Sequence, residues 1–469
     1  MSAMRLGAAA VATAALAGCA GFSADGGLDG PRRLAREQFN AELKWVRTEA
    51  ERASVAAEVQ RLLSQPLSAD SVVRVALLNN PGLQATYARL GIAQADLVQA
   101  GRLPNPVLSA TRARSDGGER SRESTLLFDF GALVTMPLAV QMEQRRFSAA
   151  QASVSREVAR TALAARVAYV QAVGAGEQAR LMAQFTDSAR VSRELAERMV
   201  QAGNWPKINA IRHQLFHAET LARYAESMKA ENAAREQLAR ILGIERSPRG
   251  LKLPQALAEI PDATVPGEEL EAIAMTRRFD VAAARFNVEG AAKALGLTKT
   301  TRFVSLLEFG PTRAREGNGE RARGYEIELQ VPLFDWGSAR VAKAESLYMQ
   351  ALAEAATVAV DARSEVRESY HAYRSAHDIA RHFRDELVPL RRLIRDEQLK
   401  RYNGMLIGVF ELVSDARELV NATIAAIGAQ RDFWLADAQM QAAMLGVGAL
   451  GAQAGAPPAP ASGGGGGGH

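Results

Sequence analysis

The stretch that spans residues 325–337 reads Tyr325-Glu326-Ile327-Glu328-Leu329-Gln330-Val331-Pro332-Leu333-Phe334-Asp335-Trp336-Gly337. Apolar and polar residues alternate in it up to the proline. Because successive side chains of a strand point to opposite faces, this alternation predicts a strand with one apolar and one polar face. Proline disfavours continuation of a strand, and residues with helical periodicity follow it here. The stretch therefore marks a switch from sheet to helix.

The same order of elements is predicted twice, at a spacing of about 200 residues, which indicates an internal repeat. Each copy has a helix, two strands, a long helix, a tight turn and a returning helix. In the first copy the helix and strands are Ala76–Ala100, Val107–Arg114 and Thr125–Met136, with the strands joined by Ser115–Glu123. In the second they are Ala274–Lys299, Phe303–Thr312 and Tyr325–Leu333, with the strands joined by Arg313–Arg323.

The strands carry polar residues on one face, among them the acidic Asp129, Glu326 and Glu328. Alternation over about 10 residues is typical of a membrane barrel with a wet lumen, which would place these three carboxylates inside. A soluble sheet could show the same alternation. Four strands are too few to close a barrel, and an open edge cannot face lipid, so a barrel requires several chains.

A long helix is predicted after each strand pair, running to Gly203 or Gly404, over roughly 90–100 Å at 1.5 Å per residue. In the second long helix, apolar or small residues recur in 3- and 4-residue steps, which predicts a coiled-coil seam. Pro389 lies inside this seam and predicts a bend before the turn.

Two tight turns end these helices, Gln201–Pro206 and Arg401–Met405, and glycine in each can take the left-handed conformation of a helix cap. The returning helices are predicted to end near Leu242-Gly243 and Leu445-Gly446. Between the copies, Arg246–Gly267 contains four prolines and is predicted to be an extended connector. No segment after the N-terminus is long and apolar enough to cross a membrane as a helix.

The N-terminus has Arg5, an apolar stretch of about 12 residues and then Leu16-Ala17-Gly18-Cys19, which indicates a cleaved export signal because about 20 residues are needed to span a bilayer. Cys19 is the only cysteine. Its position resembles the lipobox of bacterial lipoproteins, which implies covalent lipid at Cys19 as the only attached group and no cofactor. A chance cysteine beside an ordinary cleavage site is the alternative.

Composition and motifs exclude several classes of function. The chain has 57 Lys+Arg against 52 Asp+Glu, spread without a basic block, so nucleic acid is not an expected partner. No phosphate loop, Gly-x-Ser-x-Gly or His-Glu-x-x-His motif is present, and we expect no catalytic residues. His213 and His217 have metal-binding spacing, but no carboxylate or cysteine completes a ligand set, so we expect a surface pair and no metal site. The tail from Gly446 to His469 is Gly-, Ala- and Pro-rich and is predicted to be disordered.

The residues that carry a family resemblance lie at strand ends and turns: Met136-Pro137-Leu138, Val331–Gly337, Arg401-Tyr402-Asn403-Gly404 and Phe410-Glu411-Leu412-Val413-Ser414-Asp415-Ala416. With the doubled strand pairs, they make the chain resemble the TolC-type outer-membrane factor family, specifically its lipidated members that serve tripartite pumps. The resemblance covers nearly all of the chain after Gly18.

The resemblance implies an α+β, mainly α fold, in which duplicated long helical hairpins form a periplasmic α-barrel. Four strands per chain would contribute to a trimeric 12-stranded outer-membrane β-barrel. It implies a homotrimer, lipid-anchored in the outer membrane of a Gram-negative bacterium. The implied partners are a periplasmic adaptor protein, an inner-membrane transporter of the resistance-nodulation-division type, and outer-membrane lipid.

The resemblance also implies sites. Asp415, with Glu411 beside it, matches the position of acidic residues that constrict the periplasmic end of such channels, although a solvated helix face is the alternative. Gly203, Asn204, Tyr402 and Gly404 at the tips would meet the adaptor, although ordinary capping explains the glycines equally. The implied function is the outer-membrane channel of a tripartite efflux or type I secretion system. A periplasmic coiled-coil lipoprotein that scaffolds an envelope complex is the alternative.

The predicted division of the chain follows from these segments. It comprises a signal peptide (1–18), the lipidated N-terminus and first helices (19–103), the first strand pair (104–137), the first hairpin (138–243), the connector (244–267), a helix (268–301), the second strand pair (302–333), the second hairpin (334–445) and the tail (446–469).

Overall fold

The computed structural model describes residues 21–114, 116, 119–245, 250–302, 307–316, 319–330 and 333–450. The predicted signal segment, Cys19 and the tail from residue 451 onward lie outside the described residues, as do the first four residues of the predicted third strand and Val331-Pro332. The helices are α1 (Asp29–Phe39), α2 (Glu49–Leu63), α3 (Ala69–Asn79), α4 (Pro81–Ala100), α5 (Phe130–Gln201), α6 (Lys207–Leu242), α7 (Leu270–Arg277), α8 (Phe279–Thr300), α9 (Ser338–His382), α10 (Val388–Asn403) and α11 (Val409–Leu445). The predicted class, mainly α with a small sheet, is confirmed.

The strands form one antiparallel sheet in the order β1-β2-β3-β4. They are β1 (Val107–Arg114), β2 (Arg120–Asp129), β3 (Leu307–Arg315) and β4 (Arg321–Leu329). The first strand has the predicted bounds. Strands β2 and β3 pair with each other, so the sheet joins the two copies of the repeat.

The predicted bounds of the other strands are wrong at their ends. The arginine-rich segments predicted as loops are strand, because Arg120–Glu123 and Arg321–Arg323 pair in register with the neighbouring strands. The segment from Phe130 to Met136, predicted as strand, begins α5. The side chain of Asp129 accepts a hydrogen bond from the Ala132 amide (2.8 Å), which satisfies a free donor of the first helical turn and favours the helix there.

The helix that precedes each strand pair is divided in two, contrary to the single helices predicted. Asn80 separates α3 from α4 with extended backbone (φ −69°, ψ 119°), as the proline that follows requires. Arg278 separates α7 from α8 with nearly the same angles (φ −65°, ψ 127°). The break recurs at equivalent places, which supports the internal repeat beyond what the sequence showed.

The long helices end next to the predicted turns, α5 at Gln201 and α10 at Asn403. Pro137 lies within the first turns of α5. In the second copy, a π-helical turn at Phe383–Leu387 interrupts the helix just before Pro389, which stands at the start of α10. This turn is where the bend was expected, because Pro389 lacks the donor for a regular bond and the backbone widens before it. Gly243 and Gly446 take the left-handed cap conformation (φ 66° and 70°) after α6 and α11.

Residues 251–267 of the connector contain no helix or strand, and side chains of the hairpin helices hold its backbone. The Trp434 indole donates to the Ala258 carbonyl (2.9 Å), and the Gln430 amide donates to the same oxygen (2.7 Å). Glu177 accepts from the Leu257 amide (3.1 Å). A segment with few internal hydrogen bonds is therefore fixed by the helices that it crosses.

The chain divides into two compact units. One comprises residues 1–47, 81–158 and 275–364 and contains the sheet. Its N-terminal arm is anchored by Gln84, which accepts from the Val46 amide and donates to the Lys44 carbonyl. The other comprises residues 48–80, 159–274 and 365–469 and contains both hairpin turns and the connector. Among the described helices, none has the length and hydropathy of a membrane-spanning helix.

Gly310 provides a test of the β2–β3 junction. A Cβ atom there would collide with the backbone carbonyl of Leu126, whereas a Cβ atom at Gly324 would meet only the Thr312 methyl at 3.3 Å. We expect Gly310→Ala to lower the free energy of unfolding by roughly 2–3 kcal/mol, because backbone must move. Gly324→Ala is the matched control and should change it by less than about 1 kcal/mol. Thermal unfolding of both variants measures this, and equal effects would show that the close approach is unimportant.

Candidate functional site

The side chain of Asp415 joins the two helices of the second hairpin. Its Oδ2 accepts a hydrogen bond of 2.7 Å from the Gln398 amide of α10. The Gln398 Oε1 is buried without a hydrogen-bond partner among the described residues. One turn further along α11, Glu418 pairs with Arg391 of α10 at 3.3 Å. Asp415 is therefore engaged within its own hairpin, and it is half-buried rather than a freely solvated residue.

Glu411 lies in the first turn of α11 and is exposed. Within the described residues its side chain has neither a hydrogen-bond nor an ion-pair partner, whereas Asp415 has a hydrogen bond and Glu418 an ion pair. Its carboxylate is favoured there by the positive end of the helix dipole. The two predicted gate residues therefore differ, because among the described residues only Asp415 of the two has a side-chain hydrogen bond to another helix.

The turn of the first hairpin closes as predicted from its glycine. Gly203 has φ +75°, and the amides of Asn204 and Trp205 both donate to the Met199 carbonyl (2.9 and 3.2 Å). Trp205 then folds back onto α6 and stacks on the His213 ring, with centroids 5.8 Å apart and planes inclined by 20°. An indole thus covers the start of the returning helix.

The turn of the second hairpin differs from the prediction. Gly404 has φ −80°, and the left-handed residue is Met405 (φ +58°). A side chain at such an angle is strained, so the turn does not use glycine where glycine would cost least. Met405 and the next residue, Leu406, are 93% and 77% exposed. Two large apolar side chains thus protrude at this tip beside Tyr402 and Gly404.

His213 is buried, so the prediction of a surface histidine pair is wrong for this residue. Its Nδ1 lies 2.8 Å from the Ser192 hydroxyl of α5. Burial lowers the pKa of His213 from its ordinary value. Arg212, Glu219 and Arg417 line the adjacent cleft, which has a volume of about 270 Å³, and Arg417 pairs with Glu219 at 3.6 Å. Among the described residues, no group of three metal-ligating side chains occurs.

The carboxylates predicted to face the lumen are brought together in part. Asp129, Glu308 and Glu328 lie directly opposite one another on three adjacent strands. Glu326 lies two residues from Glu328 on the same face, opposite Gly310. Glu308 was missed from the sequence, although its alternation with Leu307 and Phe309 carries the signal. Like charges in one row repel each other, so the row needs water or cations around it.

Sequence reasoning also missed Gln398, Met405 and Leu406. No sequence signal pairs Gln398 with Asp415, because the register between α10 and α11 depends on the length of the turn. The exposure of Met405 and Leu406 could have been inferred from their position between Gly404 and Gly408.

Known proteins resemble this chain in structure. The outer-membrane channel CmeC of Campylobacter jejuni has a TM-score of 0.70 and 13% identity over 89% of this chain and 92% of its own. The outer-membrane channel OprN has a TM-score of 0.67 and 18% identity, with 92% and 97% covered. The outer-membrane protein VceC of Vibrio cholerae has a TM-score of 0.65 and 19% identity, with 83% and 97% covered. No protein-family model and no curated protein matches the sequence. The resemblance to the TolC-type family is thus confirmed for the fold.

Acidification tests the buried His213. Because its pKa in the folded chain is lowered, the folded state resists protonation, and the stability it contributes is present above pH 6.5 and is lost as the pH falls through the folded pKa. Because the intrinsic rate of amide exchange itself falls at lower pH, the measured quantity is the protection factor, which we expect to be lower for residues 201–213 below pH 6.5 than above it. His213→Gln keeps a polar partner for Ser192 and should abolish this pH dependence. His217→Gln, one turn away, is the control and should retain it; loss in both variants would contradict the assignment.

Proposed function

We propose that this chain is the outer-membrane channel of a tripartite efflux or type I secretion system and conducts substrates from an inner-membrane pump to the exterior. The observation that carries the proposal is a fold shared with outer-membrane channels over more than nine-tenths of their length. The proposed role is passage, with no chemical step.

The edges of the sheet support assembly into a homotrimer. Strands β1 and β4 are at the two edges, and every residue of both strands is exposed. Unpaired edges cannot face lipid, because each free N–H and C=O group would lose its hydrogen bonds to water. Pairing β4 of one copy with β1 of the next satisfies both edges, and three copies give a closed barrel of 12 strands.

The long helices support the same assembly. Leu347, Met349 and Val360 on α9 are 51%, 63% and 68% exposed, and further leucine and isoleucine side chains are exposed on α10. Apolar helix surface of this extent is normally covered by a partner. Neighbouring copies packed side by side into an α-barrel would cover it.

The N-terminus supports attachment to the outer membrane by lipid at Cys19. The arm that follows this cysteine, up to Arg47, belongs to the same unit as the sheet. Acyl chains at Cys19 would add a second membrane anchor to the strands.

The second hairpin supplies the proposed gate, and the tips supply the proposed docking site for a periplasmic adaptor that links the channel to a resistance-nodulation-division transporter. The Asp415–Gln398 bond holds α11 against α10, which favours a closed arrangement of the hairpin. Exposed Met405 and Leu406 offer apolar anchors beside Gly404, and the first tip offers Gly203 and Asn204. A hydrogen bond to a charged acceptor is stronger than one between neutral groups, and exposed apolar side chains are typical anchors of protein interfaces.

Conductance across planar bilayers tests the channel and its gate. Asp415→Leu removes a hydrogen bond to a charged group in each copy, so we expect the fraction of open channels to rise by roughly tenfold or more. Asp415→Asn keeps an acceptor for Gln398 without the charge and should stay closed. The control is Glu411→Gln, which should resemble the native protein.

Each outcome has a definite meaning. If both Asp415 variants open, closure depends on the negative charge of Asp415. That result would contradict a gate held by the hydrogen bond between Asp415 and Gln398. No change in either variant would remove Asp415 from the gate. A folded native trimer and variants that never conduct would favour the scaffold lipoprotein over the channel.

Adaptor docking is tested by Leu406→Asp. A charge at this 77% exposed tip residue should weaken association with the adaptor by roughly tenfold or more, because it removes an apolar anchor and leaves a charge to desolvate. Ile92→Asp, at a 63% exposed position on α4, is the matched control. Site-specific cross-linking in cells measures both variants, and equal retention of the adaptor would exclude the second tip as a docking site.

A further inference from the structure

Eight arginines lie on one face of the sheet, at the end that bears the hairpin loops. Arg112, Arg122, Arg315 and Arg321 form a row of directly opposed residues across all four strands. Alternation along the strands places four more on the same face: Arg114 opposite Arg120, and Arg313 opposite Arg323. We name these eight residues the arginine face.

The guanidinium groups of the arginine face lack carboxylate partners in the part of the chain that the structure describes. All eight side chains are exposed, and none makes an ion pair within the described residues. Glu123, the acidic residue of β2 in this region, points to the other face, where its Oε1 accepts from the Thr312 hydroxyl (3.4 Å). Directly opposed side chains have Cβ atoms only about 4.5–5.5 Å apart, and like charges so placed are destabilising. The sheet thus keeps an unfavourable concentration of charge that external anions would relieve.

The same face is apolar at its other end. Leu108, Tyr325 and Ile327 are 71%, 76% and 67% exposed, and Phe128 and Phe309 are directly opposed in the same region. Arg321 lies six residues from Ile327 on β4, which is about 20 Å along a strand. One continuous face therefore changes from exposed apolar side chains to guanidinium groups over that distance. This order matches a bilayer, whose hydrocarbon lies beside a layer of charged headgroups.

We propose that the arginine face binds phosphorylated lipid of the outer leaflet, with guanidinium groups paired to the lipid phosphates. The inference rests on the proposed function, which puts the apolar rows in the membrane. Arginine presents a planar fork of donors that matches phosphate in a bidentate manner. Neighbouring guanidinium groups in one row favour lipids that carry more than one phosphate. A soluble polyanion would cover the arginines but leave the adjoining Tyr325 and Ile327 exposed to water.

The test uses the full-length lipidated trimer in phosphatidylcholine nanodiscs that contain a trace of diphosphorylated lipid A. The lipid retained per trimer is measured by mass spectrometry after exchange into excess phosphatidylcholine. The variant replaces the arginines of the row: Arg112→Gln, Arg122→Gln, Arg315→Gln and Arg321→Gln. The control removes the same charge from exposed helical arginines: Arg198→Gln, Arg223→Gln, Arg240→Gln and Arg392→Gln.

We expect the row variant to retain the diphosphorylated lipid at least roughly tenfold less than the native and control trimers. Dephosphorylated lipid A should be lost equally from all three. Equal retention of the phosphorylated lipid by variant and native trimers would overturn the proposal. Displacement of the lipid by millimolar inorganic phosphate, or by an oligonucleotide, would also overturn it, since a soluble anion would then be the preferred ligand.

Two readouts separate this inference from the proposed function. Removing four facing like charges should raise rather than lower the stability of the sheet, so the variant is expected to fold, and thermal unfolding in neutral detergent checks this. Pores from the row variant in pure phosphatidylcholine, together with lost lipid retention, would support both the channel and the arginine face. Absence of pores from the native trimer would reject the channel, whatever its lipid retention.

Discussion

Pairing of β2 with β3 is the constraint on which the sheet depends, because it is the contact that joins the two copies of the repeat in one sheet. Each copy brings a hairpin, and an isolated two-stranded hairpin is marginally stable in water. Joining them requires the backbones to approach at Gly310, where no Cβ atom fits against the Leu126 carbonyl. The joined sheet then has β1 and β4 at its edges, each without a partner in the described chain. In the proposed trimer, the two edges that pair with further copies of the chain are thus a consequence of this internal junction.

The sequence predicted those parts of the fold that local chemistry controls. The strand-like run Val107–Arg114 matched β1, alternation located the apolar face of β4, and glycine located the ends of α6 and α11. It failed where tertiary pairing outweighed local preference. Arg120–Glu123 was predicted as loop because the segment is polar, yet each residue has a partner on β1. The break at Arg278 could not be predicted because no proline marks it; its buried guanidinium pairs instead with Asp280 at 2.6 Å.

In the candidate site, too, the sequence predicted local features but not those that depend on tertiary pairing. Asp415 was found through the family resemblance, whereas its partner Gln398 required the helix register. The second tip contains a left-handed Met405 and a buried Gln398 Oε1 without a partner among the described residues. Strain and an unsatisfied polar atom both raise the free energy of the arrangement that contains them. Their occurrence in one hairpin favours an element with a second arrangement of similar free energy, as a gate requires.

The two faces of the sheet place opposite charges at opposite ends. Asp129, Glu308 and Glu328 form an acidic row at the helical end of one face, and the arginine row stands at the loop end of the other. Neither row is favourable in an isolated sheet, since each opposes like charges. In a closed barrel the first row would meet water and cations in the lumen, and the second would meet phosphates outside. Both rows cost stability in the free chain, and their arrangement fits the proposed barrel, with water on one face of the sheet and lipid on the other.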